Sequence, residues 1–238
     1  MSPLRESSSW TLRYENDIKI EPLRRFYLIF EGEHTEVKYF EGIDNYRKSL
    51  GISNSIKIVI LHKEDEIKSH SDPKRLLGLI NSHKEKLKKD GDYDKQIDQF
   101  VIVFDYDDFT PENFLEFVSL ASEDNILAVT NPCFELWLIL HHKNGAHVIN
   151  QQPQEILRNI KVSNFHTHTS HLCSSIFEMN TKKNLNFEKL KSGVDLAIVQ
   201  ERTLAQTFDR MATEIGSNIG ILIETMREDP RDTLILEK

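Results

Sequence analysis

Read for the spacing of its apolar and polar positions, the chain alternates short, wholly apolar segments with amphipathic ones. Residues 26–30 are apolar without a break and stop at Glu31; residues 100–104 do the same and stop at Asp105. Residues 56–61 and 126–129 are two more segments of strand character. Unbroken runs of this length predict strands covered on both faces, as in parallel sheets, because a strand with one wet face would alternate. Between the runs the period lengthens to that of helices. After Thr35, a candidate cap with Glu36 in the first turn, Val37, Phe40, Ile43 and Arg47 share one face, with Tyr39 and Tyr46 beside it and Gly51 ending the unit.

Three further helix starts are expected where a cap residue precedes proline: Asp72-Pro73, Thr110-Pro111 and Asn131-Pro132. Leu76, Ile80, His83 and Leu87 stripe the first of these, and Lys84, Lys86, Lys88 and Lys89 load its last turns, as on a solvated helix end. Phe114, Leu115, Phe117 and Val118 mark the second. Strands alternating with helices predict an α/β fold, a mostly parallel sheet with right-handed crossovers flanked by helices. Past residue 145 the strand pattern gives way to helical segments near 154–161, 185–212 and 217–227. The expected organisation is an arm over 1–24, an α/β domain over 25–145 and a helical region over 146–238.

Composition narrows this little. A net charge of −8 argues against a protein that wraps nucleic acid by overall positive field. The two cysteines, Cys133 and Cys173, make no disulfide framework, which fits a reducing compartment. The first residues lack the apolar stretch of a signal peptide, and no run approaches membrane-spanning length, so the expected location is the cytoplasm, without a membrane. Neither G-x-G-x-x-G nor G-x-x-x-x-G-K occurs.

The chemistry is concentrated at the strand ends. In open parallel sheets ligands bind beyond the carboxyl ends of the strands. Two adjacent strands ending in Glu31 and in Asp105-Tyr106-Asp107-Asp108 would bring several acids to one edge. Such a cluster repels itself unless it holds a cation or keeps some acids protonated, and hard oxygen donors suit Mg²⁺ or Mn²⁺. Glu33 and His34 are expected to face solvent. Glu135, one turn into a helix beside Phe134 and Trp137, reads equally as a site residue or as a carboxylate stabilised by the helix dipole. The spacing of His166, His168 and His171 fits no common zinc site, and a surface loop is expected there. His141 and His142 are expected to complement the dipole of a helix end, and Cys133 to be a buried thiol rather than an activated one.

Glu31-Gly32-x-x-Thr35-Glu36 and Asp105-x-Asp107, each after a buried strand, resemble the TOPRIM fold of topoisomerases, primases and nucleases. The stretch from Asn131 to Leu138, Asn-Pro-Cys-Phe-Glu-Leu-Trp-Leu, is similar to the signature of the RloB family, related to the AbiLii abortive-infection proteins. The resemblance covers residues 24–145 well and the tail more loosely. It implies a metal-dependent nuclease, a cytoplasmic effector of anti-phage defence acting on DNA or RNA beside an ATPase of the ABC or AAA type. It implies Glu31, Asp105 and Asp107 as metal ligands or general acid/base, with Glu36 and Glu135 as supporting catalytic candidates. Asp108 departs from the pattern and leaves open which of the three aspartates face the metal.

Two other readings compete. One is a non-catalytic TOPRIM-like subunit that restrains an ATPase. The other is a phosphatase of the haloacid-dehalogenase type, which uses D-x-D. That family places threonine or valine two positions after the second aspartate, and Phe109 stands there. Arg24/Arg25, Arg158/Lys161 and Lys182/Lys183 are candidate contacts to a nucleic-acid backbone.

Overall fold

The computed structural model describes residues 23–62, 73–107, 109–164 and 166–229, with no side chain described for Lys182. Most of the expected arm, together with Asp72 and Asp108, therefore lies outside the described residues. Among those described, five strands form one sheet. They are β1 (Arg24–Phe30), β2 (Ile56–Leu61), β3 (Asp98–Asp105), β4 (Ile126–Asn131) and the two-residue β5 (Gly216–Ser217). Their order across the sheet is β2-β1-β3-β4-β5, parallel except for β5 against β4.

The apolar runs are unbroken because both sheet faces are covered. Phe26, Leu28 and Phe30 point into one core with Val101, Val103 and Ala128; Tyr27 and Ile29 point into the other with Phe100, Ile102, Phe104, Leu127 and Val129. The first core is closed by α1 (Thr35–Asn45), α4 (Glu135–Ile139), α5 (Gly145–Gln151), α6 (Pro153–Arg158) and α7 (His168–Phe177). It is completed by α9 (Val194–Glu201) and α11 (Ile219–Arg227), so the region after residue 145 shares a core with the sheet. The second core is closed by α2 (Pro73–Asp90), α3 (Pro111–Ala121) and α10 (Phe208–Met211). A short α8 (Thr181–Asn184) lies against α1, where Thr35 Oγ1 donates to the Thr181 carbonyl over 3.3 Å.

Several local expectations are corrected. Thr35 does not cap α1, because its hydroxyl is committed to Thr181 and His34 occupies the cap position without a side-chain bond. Asn131-Pro132 does not open a helix: Asn131 is the last residue of β4, the bond to Pro132 is cis, and α4 begins at Glu135. The single helix expected over 185–212 is broken into two 3-10 turns, α9 and α10, because the backbone of Ala205 leaves the helical ladder to bond Ile215 and Ser217 beside β5. Lys84 is no solvated helix end; it is 7% exposed and its Nζ donates to the Asp124 carbonyl and Asn125 Oδ1. Where a loop was expected around His166–His171, α7 starts at His168. Arg25 is occupied by Asp98, with Nη2 to Oδ2 at 2.9 Å, at the opposite end of the sheet from the acids.

Two buried polar knots hold the helical layer. Glu201, fully buried between α9 and α11, accepts from Ser217 Oγ at 2.5 Å, the Gly220 N–H at 3.0 Å and Gln206 Nε2 at 3.1 Å. His141 ties α1 to α4. Its Nδ1 lies 3.0 Å from the Trp137 carbonyl, which only accepts, so Nδ1 carries the proton and Nε2 accepts from the Tyr39 hydroxyl, also at 3.0 Å. The expected charged residue at a helix end is thus a neutral one. Burial pushes its pKa down to about 4, outweighing the backbone contacts that raise it.

The sign of the resulting pH dependence follows from that shift. A histidine whose folded pKa is depressed stabilises the fold fully above its unfolded pKa of about 6.5, and the contribution is lost as pH falls toward the folded value. His141→Gln, which keeps hydrogen-bonding capacity but cannot charge, is expected to lose less stability than the wild type between those limits. The difference should be on the order of 3 kcal/mol. Urea unfolding of both proteins at a series of pH values measures it; parallel curves would contradict it.

Candidate metal and nucleic-acid site

The strand order contains one reversal. From β1 the chain turns to one side to make β2 and then crosses to the other side of β1 to make β3. α1 follows the first turn on one face and α2 precedes β3 on the other, so a crevice opens between the carboxyl ends of β1 and β3. The register makes the two ends level. Phe30 pairs with Val103, the Glu31 N–H continues the ladder to the Val103 carbonyl at 2.9 Å, and Asp105 pairs with Thr130 of β4.

A cavity of about 250 Å³ occupies this crevice, lined by Gly32, Glu33, His34, Thr35, Glu36, Asp105, Asp107, Cys133, Glu135, Asn159 and Thr167. Five of these are carboxylic acids, and none of the lining residues is lysine or arginine. Glu33 and His34 are exposed at its mouth, as expected. Glu36 and Glu135 are 9% and 6% exposed. The α6–α7 connection forms the facing wall through Asn159, in the left-handed region at φ 40°, and Thr167.

Asp105 is the centre of the group. Its Oδ1 accepts from Thr130 Oγ1 at 2.6 Å. Burial pushes its pKa well above the ordinary aspartate range, and Glu36, Asp107 and Glu31 push in the same direction while the Thr130 bond opposes them. Glu31 does not itself line the cavity; its Oε2 accepts the Asp105 N–H at 3.0 Å and so fixes the end of β3 to the end of β1. Glu36 is held against the turn in a way only glycine permits. A Cβ on Gly32 would meet the Glu36 carboxylate at 2.1 Å from Oε2.

Cys133 also faces this group. Burial pushes its thiol up, with Glu135, Asp105 and Asp107 adding to the shift and Glu135 accepting a hydrogen bond from it. The buried, unactivated thiol expected from the sequence is the one found. His168 Nε2 is 2.9 Å from Gln152 Oε1, and the His166 and His171 rings stand 6.4 Å apart. Among the described residues, no three or more His, Cys, Asp or Glu side chains are already arranged to hold a metal ion. The cavity nevertheless gathers five acids without lysine or arginine, and carboxylate oxygens are the donor type that hard divalent cations take.

Sequence reasoning placed Glu31, Asp105 and Asp107 at one sheet edge, and the fold puts all three there. It gave Glu36 and Glu135 a secondary place, yet both line the cavity. The contributions of Cys133, Asn159 and Thr167 were missed. Asn159 and Thr167 carried no signal, because they arrive from a segment more than 50 residues downstream of β3.

No helix among the described residues is long and apolar enough to cross a membrane. No curated protein and no solved structure matches the chain. A family model described as RloB-like protein matches residues 26–226, well beyond the stretch over which the motifs alone carried the resemblance. The chain belongs to the RloB-like protein family.

Proposed function

We propose that the protein hydrolyses phosphodiester bonds of nucleic acid with the help of a divalent cation held in the β1–β3 crevice, as an effector of anti-phage defence. The observation that carries the reading is a cavity with five carboxylic acids and no lysine or arginine in its lining at the switch point of a parallel sheet. The defence role and an ATPase partner of the ABC or AAA type are taken from what the resemblance to the RloB family implies.

In this reading Asp105 and Asp107 hold the cation, Mg²⁺ or Mn²⁺, with Glu36 and Glu135 turning toward it. The cation supplies charge neutralisation at the phosphate and lowers the pKa of water. Thr130 aims the Asp105 carboxylate, and Glu31 fixes the backbone that carries it. Arg158 and Lys161 are exposed on either side of Asn159 at the cavity wall, where each can meet a phosphate of the substrate backbone.

Incubation with single- and double-stranded DNA and RNA, in Mn²⁺ and in EDTA, tests the activity. Cleavage in Mn²⁺ alone is expected, lost in Asp105→Asn and largely kept when His166, His168 and His171 are all changed to alanine. A folded wild type that cuts none of these substrates but co-purifies with an ATPase would favour the restraining subunit. Turnover of p-nitrophenyl phosphate without cleavage of nucleic acid would favour the phosphatase.

Asp105→Asn is also expected to raise the melting temperature of metal-free protein, because it removes one of several mutually repelling charges while keeping an acceptor for Thr130. The gain is about 1 kcal/mol for a partly desolvated site. Wild type should gain about 2.7 kcal/mol from Mn²⁺ at a hundredfold excess over Kd, and the variant should lose most of that. Thermal shifts in EDTA and Mn²⁺ read both quantities. A variant that melts lower and gains equally would make Asp105 a structural capping residue.

Gly32→Ala should displace the Glu36 carboxylate without disturbing β1 or β3. Its expected signature is a near-normal melting temperature in EDTA with a weakened response to Mn²⁺. An unchanged Mn²⁺ response would remove Glu36 from the ligand set.

A further inference from the structure

We infer that the hairpin between α6 and α7 binds single-stranded nucleic acid, with Lys161 holding a phosphate on its cavity side and Ile160 and Val162 meeting bases on its outer side. The inference rests on the nucleic-acid reading above and adds to it the substrate class. The hairpin is held in shape by its own bonds. α6 ends at Asn159, whose left-handed backbone turns the chain out of the helix. Residues 160–162 and 166–168 then pair antiparallel, the Val162 N–H donating to the His166 carbonyl and the His168 N–H to the Ile160 carbonyl, each at 2.9 Å. Side chains pin it further: Asn159 Oδ1 accepts the Thr169 N–H at 3.0 Å, and Ser163 Oγ accepts the His166 N–H at 3.1 Å.

The pairing decides which way each side chain stands. The two bonds flank Lys161 and Thr167, which form the bridge between the arms. Directly opposed residues share a face, and at a pair flanked rather than joined by the bonds their side chains stand closest. Thr167 lines the acidic cavity, so Lys161 is on the cavity side. Ile160 and Val162, one position to either side of it, are on the opposite face. They are 63% and 48% exposed. One exposed aliphatic side chain is ordinary; two on one face of a pinned hairpin beside a cavity present a fixed apolar surface. Charge selects the occupant. The chain carries a net −8, yet residues 156–177 contain no Asp or Glu, and Arg158 and Lys161 are exposed there. A polyanion meets two cations and no like charge along this segment. A duplex offers the segment its phosphates, with its bases stacked inside. An unpaired strand also offers base faces, against which aliphatic side chains bury apolar area.

Labelled DNA and RNA oligonucleotides, single-stranded and duplex, are titrated with the full chain in EDTA and followed by fluorescence anisotropy. Wild type should bind the single strand more tightly than the duplex of the same sequence. Lys161→Gln should weaken both and lower the slope of log K against log salt by about 0.7 on the single strand. Ile160→Ser combined with Val162→Ser should weaken the single strand at least about tenfold and leave the duplex unchanged. All three side chains are exposed, so the melting temperature should not move. Absence of binding, binding without strand preference, or full single-strand binding by the serine variant overturns the inference. If that variant also changes its sedimentation, the apolar face belongs to a protein contact instead. EDTA keeps the two readings apart. The expected binding pattern in a protein that cuts nothing with Mn²⁺ sinks the nuclease and keeps the hairpin; cleavage without that pattern does the reverse.

Discussion

The level pairing of β1 with β3 is the constraint on which the site depends. A slip of one residue between the strands of a parallel pair would exchange the faces of one of them. With Phe26, Leu28 and Phe30 committed to one core and Phe100, Ile102 and Phe104 to the other, a one-residue slip is excluded, and Phe30 pairs with Val103. Their carboxyl ends are therefore fixed side by side, and the Asp105 N–H meets Glu31 Oε2. The hydrophobic effect, acting on residues that touch no ligand, thus determines which acids meet.

Electrostatics works against the same arrangement. Burial and three neighbouring carboxylates all disfavour the charge on Asp105. The cavity is open at Glu33 and His34, which are exposed to solvent. A site of this kind stores repulsion that a bound cation would release, and that release is the thermodynamic basis for linking stability to metal.

The strands were legible because a doubly covered strand leaves an unambiguous trace, and residues 56–61 are a strand over the full expected span. Asp105 and Asp107 were legible for the same reason, since a strand end is a position as well as a residue. The helical region was read less well. Its 3.6-residue apolar period persists across 185–212, but Ala205 gives its backbone bonds to the segment around β5, a long-range pairing with no local signature. His141 was misread because adjacency to a helix end suggests charge, while only the packing of Tyr39 and Trp137 around it reveals that it is neutral. Asn131-Pro132 has the spelling of a helix start, yet the pairing of β4 with β5 extends the strand through Asn131.

Glu31 and Glu36 show how far a motif can assign roles. Both belong to Glu-Gly-x-x-Thr-Glu, and position after the strand favours Glu31 as the ligand. The fold gives the two acids different surroundings. Glu31 spends an oxygen on a backbone N–H of β3, an interaction that sets where Asp105 stands. Glu36, in the first turn of α1, reaches back across Gly32 into the cavity, where the positive end of the helix dipole favours its charge. The glycine between them serves both, because a side chain there would occupy the space of the Glu36 carboxylate. The motif is thus a compact device in which one acid builds the edge of the sheet, a glycine clears the approach, and the second acid faces whatever binds.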